Sequence, residues 1–390
     1  MWWLPTLAVS ALTLEGAAEQ ISRAALTLEG AAEQISRCRA GELYSAGLHE
    51  GDLNLDGHQR RFLVYMPKVV ASHRFMPLLL LLPGNGNPPH AFLKWPDMIQ
   101  FADREGFIIL VLIGVHNKFN VGLHSQPAIP DGPDDVAYTR AVLRKAYPKL
   151  CIDKRRVFCV GMSKGGRFCV RLASELSSII AGVGLVSALR YPEPNHARHP
   201  TPLIAFHGTA DQTDPYYGGG RFVSYWGTAT VPHELRRWAS FNGCLEMHSA
   251  RQRYSVAVEH HTRCSNGADV ILYTLPGAKH SWPGTPQIYG PQTHMVNVTK
   301  LMWHFLNAHP MRQSTDDAWQ QLFEQFEEFP FLALYPARHL AWGRLFGALL
   351  PLWAFMAYRL VLKFFWTVAE ILGSGRSLRA GGDEVASDCQ

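Results

Sequence analysis

From about residue 50 the apolar positions fall into short blocks with two different spacings. Residues 61–66 (RFLVYM) alternate as a half-buried strand does, whereas residues 78–82 and 107–113 (FIILVLI) are unbroken apolar runs. Residues 157–160, 181–187, 203–206 and 269–275 are further strand-like blocks. Between them, residues 134–147 carry apolar side chains at helical spacing (Val136, Tyr138, Val142, Ala146). Acidic residues open that stretch, where the helix dipole favours negative charge. Residues 164–176 read as a second helix. Strands without a polar face, alternating with helices, predict a mostly parallel sheet with helices on both faces. Glycine and proline follow most of the strands, at the carboxyl ends where open α/β sheets place their sites.

The two ends of the chain break this pattern. Residues 11–23 (ALTLEGAAEQISR) recur letter for letter at 25–37, and two copies are too few for a repeat array. The first fourteen residues are apolar, yet they lack the basic start and small-residue cleavage site of a secretory leader. A leader and a plain extension both fit. Beyond residue 309, residues 312–328 are acidic and amphipathic, and residues 345–358 carry no charge. That run falls short of the roughly 20 residues of a spanning helix, and extending it to Leu372 brings Arg359 and Lys363 inside. Arg359, Lys363, Thr367 and Glu370 share one helical face, so an interfacial helix, a helix packed on protein and a membrane anchor all remain open. The chain is therefore divided into an N-terminal extension (1–50), a catalytic domain (51–309), an amphipathic linker (310–344), a hydrophobic helix (345–372) and a disordered tail (373–390).

Composition narrows the function classes. Hydrophobic residues at 47% and aromatics at 11% exclude wholesale disorder. A charged fraction of 18% is low, so apolar surface must be buried or meet lipid. The net charge of +5 is spread along the chain with no Lys/Arg block, and nucleic acid is not an expected partner. Seven cysteines are too few for a disulfide scaffold, and the odd number leaves at least one unpaired within the chain. No zinc motif is present: His233-Glu234 has Arg237 where a second histidine would stand, and there is no CxxC pair. Neither a metal nor a cofactor is expected.

The chemistry centres on G-x-S-x-G at residues 161–165, between a short strand and a helix. A serine at such a turn has strained backbone angles, and side chains at the flanking glycines would strike neighbouring backbone. The turn lifts the Ser163 hydroxyl above the sheet, and the N–H of Lys164 becomes a donor for an oxyanion. Serine needs a base, and the base an orienting acid. The strand at 203–206 opens into His207-Gly-Thr-Ala-Asp211, and the strand at 269–275 opens into Pro276-Gly-Ala-Lys-His280. These positions make Ser163 the nucleophile, His280 the base and Asp211 the acid. Asp214 is the competing acid, set aside because Asp211 comes sooner after the strand. His207 is expected to support that loop. A second oxyanion amide is expected from Asn85, in the loop after residues 78–82, although an ordinary glycine turn reads the same way.

Assembled, these segments resemble the secreted polyhydroxybutyrate depolymerase and feruloyl esterase group of α/β-hydrolases. The likeness runs over residues 55–309 and is carried by residues 101–107, 134–138, 151–157, 206–211 with Pro215-Tyr216, and 277–284. It implies a serine esterase acting on feruloyl, hydroxycinnamoyl or hydroxyalkanoate esters, small or polymeric, with Asp211 as the acid. It also implies a Cys244–Cys264 disulfide and hence an extracellular or lumenal protein, anchored to a membrane if residues 345–372 serve that purpose. Cys151, Cys159 and Cys169 lie within strand and helix patterns and are expected as small core residues. Two departures stand out: Pro83-Gly84 replaces the group's His-Gly, and residues 114–133 lack its cysteine- and tryptophan-containing pattern. Trp282 and Tyr217 are candidate pocket aromatics, or packing. Asn297-Val-Thr299 is a glycosylation sequon in a helical stretch. The rival functions are a serine peptidase of the same fold and a non-catalytic, membrane-associated binding protein.

Overall fold

Ten strands form one sheet whose centre is parallel and whose two edges are antiparallel. The computed structural model describes residues 44–68, 75–94, 97–122, 132–219, 229–284, 295–312 and 319. All of them belong to the first of two units of the chain, Met1–Gln325. The strands are β1 (Gly47–Leu55), β2 (His58–Met66), β3 (Met76–Leu82), β4 (Ile108–Leu112), β5 (Ile152–Met162), β6 (Gly182–Val186), β7 (Leu203–Gly208), β8 (Glu246–Arg251), β9 (Ala257–Thr262) and β10 (Val270–Leu275). The helices are α1 (Pro89–Lys94), α2 (Met98–Glu105), α3 (Asp135–Ala146), α4 (Lys164–Glu175), α5 (Val231–Phe241) and α6 (Val298–Ala308). The strand order is β1-β2-β4-β3-β5-β6-β7-β10-β9-β8. From β4 to β10 every neighbouring pair is parallel, while β1, β2, β9 and β8 run antiparallel to their neighbours.

The unbroken apolar runs become the strands buried on both faces. Leu78, Leu80 and Leu82 of β3 enter one core with Ile108, Leu110 and Leu112 of β4. Leu79, Leu81, Ile109 and Val111 enter the other. Each strand thus feeds two helical layers, which is why it has no polar face to show in the sequence. Strands β1, β8 and β9 escaped the sequence reading for the converse reason. β1 alternates between half-buried and exposed positions, and every residue of β8 is exposed.

Helix α3 starts where the acidic residues predicted it. Asp134 Oδ1 accepts hydrogen bonds from the Val136 and Ala137 amides, both at 3.0 Å, a cap worth about 1 kcal/mol. Asp135 turns inward instead, where the Arg60 guanidinium and the Asn120 amide hold its carboxylate. Both residues of the sequon are engaged: Asn297 caps α6 by accepting from the Lys300 N–H, and the Thr299 hydroxyl accepts from the Trp282 indole. Met311 and Trp319, expected in the linker, are buried against the fold, Trp319 lying 5.1 Å from Tyr147 ring to ring. The duplicated segment and residues 320–390, including the hydrophobic stretch 345–372, lie outside the described residues. Among the described residues no helix is long and apolar enough to cross a membrane.

The Cys244–Cys264 bridge is present, as the resemblance implied. The expectation for the other cysteines needs correcting. Cys159 and Cys169 are bonded to each other, and Cys151 is disulfide-bonded as well. Periodicity hid this pair because both sulfurs are fully buried among apolar neighbours, as core cysteines would be. The bond ties β5 to α4 on either side of Ser163. Disulfides form and persist in oxidising compartments, which fits an extracellular protein. Replacing Cys159 and Cys169 together by alanine is expected to destabilise the fold by about 3 kcal/mol, the loop-closure entropy of a bridge between residues ten apart. A urea midpoint equal to that of wild type would contradict this.

Candidate active site

The parallel register brings the carboxyl ends of β5, β6, β7 and β10 to one edge. Met162 pairs with Val186, Val186 with Phe206, and Gly208 with Leu275. Ser163 follows β5 directly. Its backbone lies at φ 54°, ψ −127°, a sparsely populated region for a residue with a Cβ. Its N–H donates to Val186 O at 2.9 Å, and its carbonyl accepts from the Arg167 N–H at 3.0 Å. The flanking glycines are sterically required. A Cβ at Gly161 would overlap the Gly165–Gly166 backbone, and one at Gly165 would overlap the carbonyl oxygens of Leu82 and Pro83. Ser163 is 8% exposed at the start of α4, whose first amides have no acceptor within the helix.

The loop after β3 lies against this turn. A Cβ on Gly84 would come within 3.4 Å of Ser163 Cβ. Gly86 N–H donates to Asn117 O and Asn87 N–H to Gly84 O, while the Asn85 N–H donates to no backbone oxygen among the described residues. Pro83 therefore leaves the loop closely packed against Ser163. Lys164 is half-buried; burial, helped by the charge of Lys118, pulls its ammonium pKa down.

The loops after β7 and β10 clasp each other. Thr209 N–H donates to Leu275 O, Ala210 N–H to Ala278 O, and Gly277 N–H to the Thr209 hydroxyl. A Cβ on Gly208 would collide with Ala278. This clasp brings Asp211 Oδ2 to 2.8 Å from His280 Nδ1. The other carboxylate oxygen, Oδ1, accepts from the Thr213 and Asp214 amides at 2.9 and 2.8 Å. Burial alone would raise the pKa of Asp211, but the hydrogen bond and charge of His280, with His207 and the Asp214 amide, outweigh it and hold the carboxyl below its ordinary value.

Asp214, the competing acid, is occupied elsewhere. It is fully buried, with both oxygens 2.9 Å from Arg167 Nη2 and Oδ1 2.7 Å from Arg190 Nη2. Burial pushes the Arg167 guanidinium down to about 10 against the attraction of Asp214, so it stays charged at neutral pH. His207 supports the loop by donating Nε2–H to Asp214 O at 2.7 Å, and burial lowers its pKa. Sequence reasoning missed Arg167 and Arg190. The one signal was an arginine set between Gly166 and Phe168, within the run of α4 that is otherwise small or apolar from Gly165 to Val170.

The two candidate pocket aromatics separate. Trp282 is 2% exposed, set edge-on to Phe92, and its indole N–H donates to the Thr299 hydroxyl. Tyr217 is 68% exposed and rests edge-on against Tyr216. A cavity of about 210 Å³ lies along α4 beyond the Ser163 turn, lined by Val170, Arg171, Tyr191 and Pro192 among others. Among the described residues no cluster of His, Cys, Asp or Glu is arranged to hold a metal ion.

The strand order, the parallel centre and the strained serine turn after β5 define an α/β-hydrolase fold. No protein-family model matches the chain. It is similar to the putative esterase NocK of Nocardia uniformis subsp. tsuyamanensis, 26% identical over 234 residues, which are 55% of this chain and 68% of that protein. It is similar also to feruloyl esterase B of Piromyces equi, 24% identical over 237 residues, 57% of this chain and 42% of that protein. The match thus spans less than half the length of the second relative. Among solved structures, an acetyl xylan esterase from Aspergillus awamori aligns with a TM-score of 0.44 at 14% identity, over 67% of this chain and 99% of that one. The chain resembles esterases of the feruloyl esterase type.

A pH prediction follows from Asp211. Its folded pKa lies below the ordinary value of about 4, so the unfolded chain takes up the proton first as pH falls. The stabilisation is present above that value and is lost as pH drops through the folded pKa. Asp211→Asn is expected to be less stable than wild type at pH 7, with the gap closing below about pH 4. Urea midpoints that differ equally at pH 7 and pH 3 would refute this.

Proposed function

We propose that the chain is a serine esterase that cleaves carboxylic esters through an acyl-enzyme on Ser163. The observation that carries the reading is the 2.8 Å hydrogen bond between Asp211 and His280, on the same sheet edge as the strained turn at Ser163. With Nδ1 donating to Asp211, the Nε2 of His280 is the nitrogen left to take the Ser163 proton as Oγ attacks the ester carbonyl. Asp211, kept ionised by its two backbone amides and the imidazole, stabilises the imidazolium that forms. The Asn85 and Lys164 amides receive the developing oxyanion, each such donor being worth about 10²–10³ in rate. The imidazolium then protonates the departing alcohol, and water activated by the same ring releases the acid. This mechanism calls for no metal or cofactor.

The acyl group proposed is hydroxycinnamoyl or hydroxyalkanoate, with the first favoured by the similarity to a protein named feruloyl esterase B. The alcohol side is a small molecule or a polymer. Peptidase action and a purely binding role have no observation in their favour.

Ser163→Ala is expected to lower p-nitrophenyl acetate hydrolysis about 10⁴-fold or more and to abolish labelling by a fluorophosphonate. A folded wild type that stays unlabelled would overturn the esterase reading. Rates on methyl ferulate, short-chain esters and 3-hydroxybutyrate oligomers separate the acyl classes, and methyl ferulate is expected to be fastest. Membrane contact through residues 345–372 is a separate proposal, motivated by the uncharged run at 345–358. Deleting residues 338–390 is expected to leave ester hydrolysis unchanged and to remove the protein from the membrane fraction. Equal membrane recovery of both forms would sink the anchor, and a folded but inactive truncate would mean that the tail completes the site.

A further inference from the structure

Buried charge is an expensive way to hold a loop in place. Asp214 is fully buried and Arg167 and Arg190 nearly so, yet replacing such ion groups by apolar side chains often leaves stability unchanged or improves it. Fold stability therefore gives a weak reason for the cluster. Its connections give a better one.

Four consecutive links, five hydrogen bonds in all, run from Ser163 to His280. The Arg167 N–H donates to Ser163 O at 3.0 Å, and Arg167 Nη2 donates to both Asp214 oxygens at 2.9 Å. The Asp214 N–H donates to Asp211 Oδ1 at 2.8 Å, and Asp211 Oδ2 meets His280 Nδ1 at 2.8 Å. Arg190 and His207 brace the middle of this path. Arg190 reaches Asp214 Oδ1 while its own carbonyl accepts the Trp238 indole N–H, and His207 holds the Asp214 carbonyl.

We propose that Arg167 is a positioning residue for catalysis: it locks the backbone that carries Ser163 to the turn that aims Asp211 at His280. The serine and the histidine come from loops on different strands, and each loop alone is free to shift against the other. The buried Arg167–Asp214 contact makes them one body. The Asp214 amide then fixes Asp211 Oδ1 and leaves Oδ2 as the oxygen that faces the imidazole. A displacement of about 1 Å at such a site can cost about 100-fold in rate. The inference rests on the esterase reading and adds to it a residue that acts through the turn holding Asp211.

The test compares Arg167→Gln, Arg167→Lys and Arg156→Gln in the full chain, with active sites counted by fluorophosphonate titration so that kcat refers to folded enzyme. Arg167→Gln keeps the Arg190–Asp214 pair and so leaves no buried carboxylate unpaired. It is expected to lower kcat on p-nitrophenyl acetate about 10–100-fold, with KM unchanged within about twofold. Both contacts to Asp214 come from a single nitrogen, so the lysine ammonium is expected to restore most of kcat, although it lacks the guanidinium fork. Arg156→Gln cuts an ion pair with Asp153 near the opposite end of β5 and is expected to match wild type. Wild-type kcat in Arg167→Gln, a loss confined to KM, or no recovery with lysine overturns the inference. Should Arg167→Gln fail to fold, Asp214→Asn, which keeps the backbone amide on Asp211 but weakens the contact to Arg167, takes its place and is read by the same kcat and KM outcomes. A wild type without turnover would overturn the esterase reading itself, a different outcome from active wild type with an unaffected variant.

Discussion

A sheet covered by helices on both faces has only its ends on which to present polar chemistry. That constraint governs this protein. Leucine, isoleucine and valine fill both sides of β3, β4 and β5, so no catalytic group can stand along the strands without being desolvated in an apolar core. The polar side chains collect instead in the turns after β5, β7 and β10, where parallel register sets those turns side by side. The strained backbone of Ser163 is held there by close packing of β3 and α4, with glycine at each position where a Cβ would meet backbone.

Electrostatics then divides the acidic residues by what surrounds them. Asp211 and Asp214 are three residues apart in one loop and both are buried. Asp211 offers one oxygen to backbone amides and the other to His280, whereas both oxygens of Asp214 are taken by guanidinium groups. One carboxylate is left facing the imidazole of His280, and the other is locked into the scaffold. The same logic separates the two histidines. His207 is sealed and kept neutral by burial, while His280 stands at the rim.

One covalent and one ionic tie reinforce the site edge, and a second disulfide lies at the opposite end of the sheet, beside the amino ends of β7 and β10. The Cys159–Cys169 bond joins the limbs of the Ser163 turn, the Cys244–Cys264 bond closes the segment between α5 and β10, and Asp214 bridges α4 to the acid loop. An enzyme folded in an oxidising compartment has the first two at its disposal. The Cys159–Cys169 bond and the Asp214 bridge together tie β5, α4 and the acid loop to one another.

The sequence alone determined the parallel core and the Ser163 turn, because each has a local cause, and it marked Asp211 and His280 by their places after strand ends, the choice of Asp211 being supported by the resemblance. Apolar runs without a polar face mean burial on both sides, and G-x-S-x-G after a strand meets a steric demand made within five residues. The edge strands β1, β8 and β9 were illegible because partly or wholly exposed strands leave no apolar run to read. Only the tertiary structure decided the Cys159–Cys169 bond, the burial of Trp282 and the capture of Asp214 by Arg167 and Arg190. Each of these depends on which side chains face one another across elements, and spacing along the chain carries no information about that.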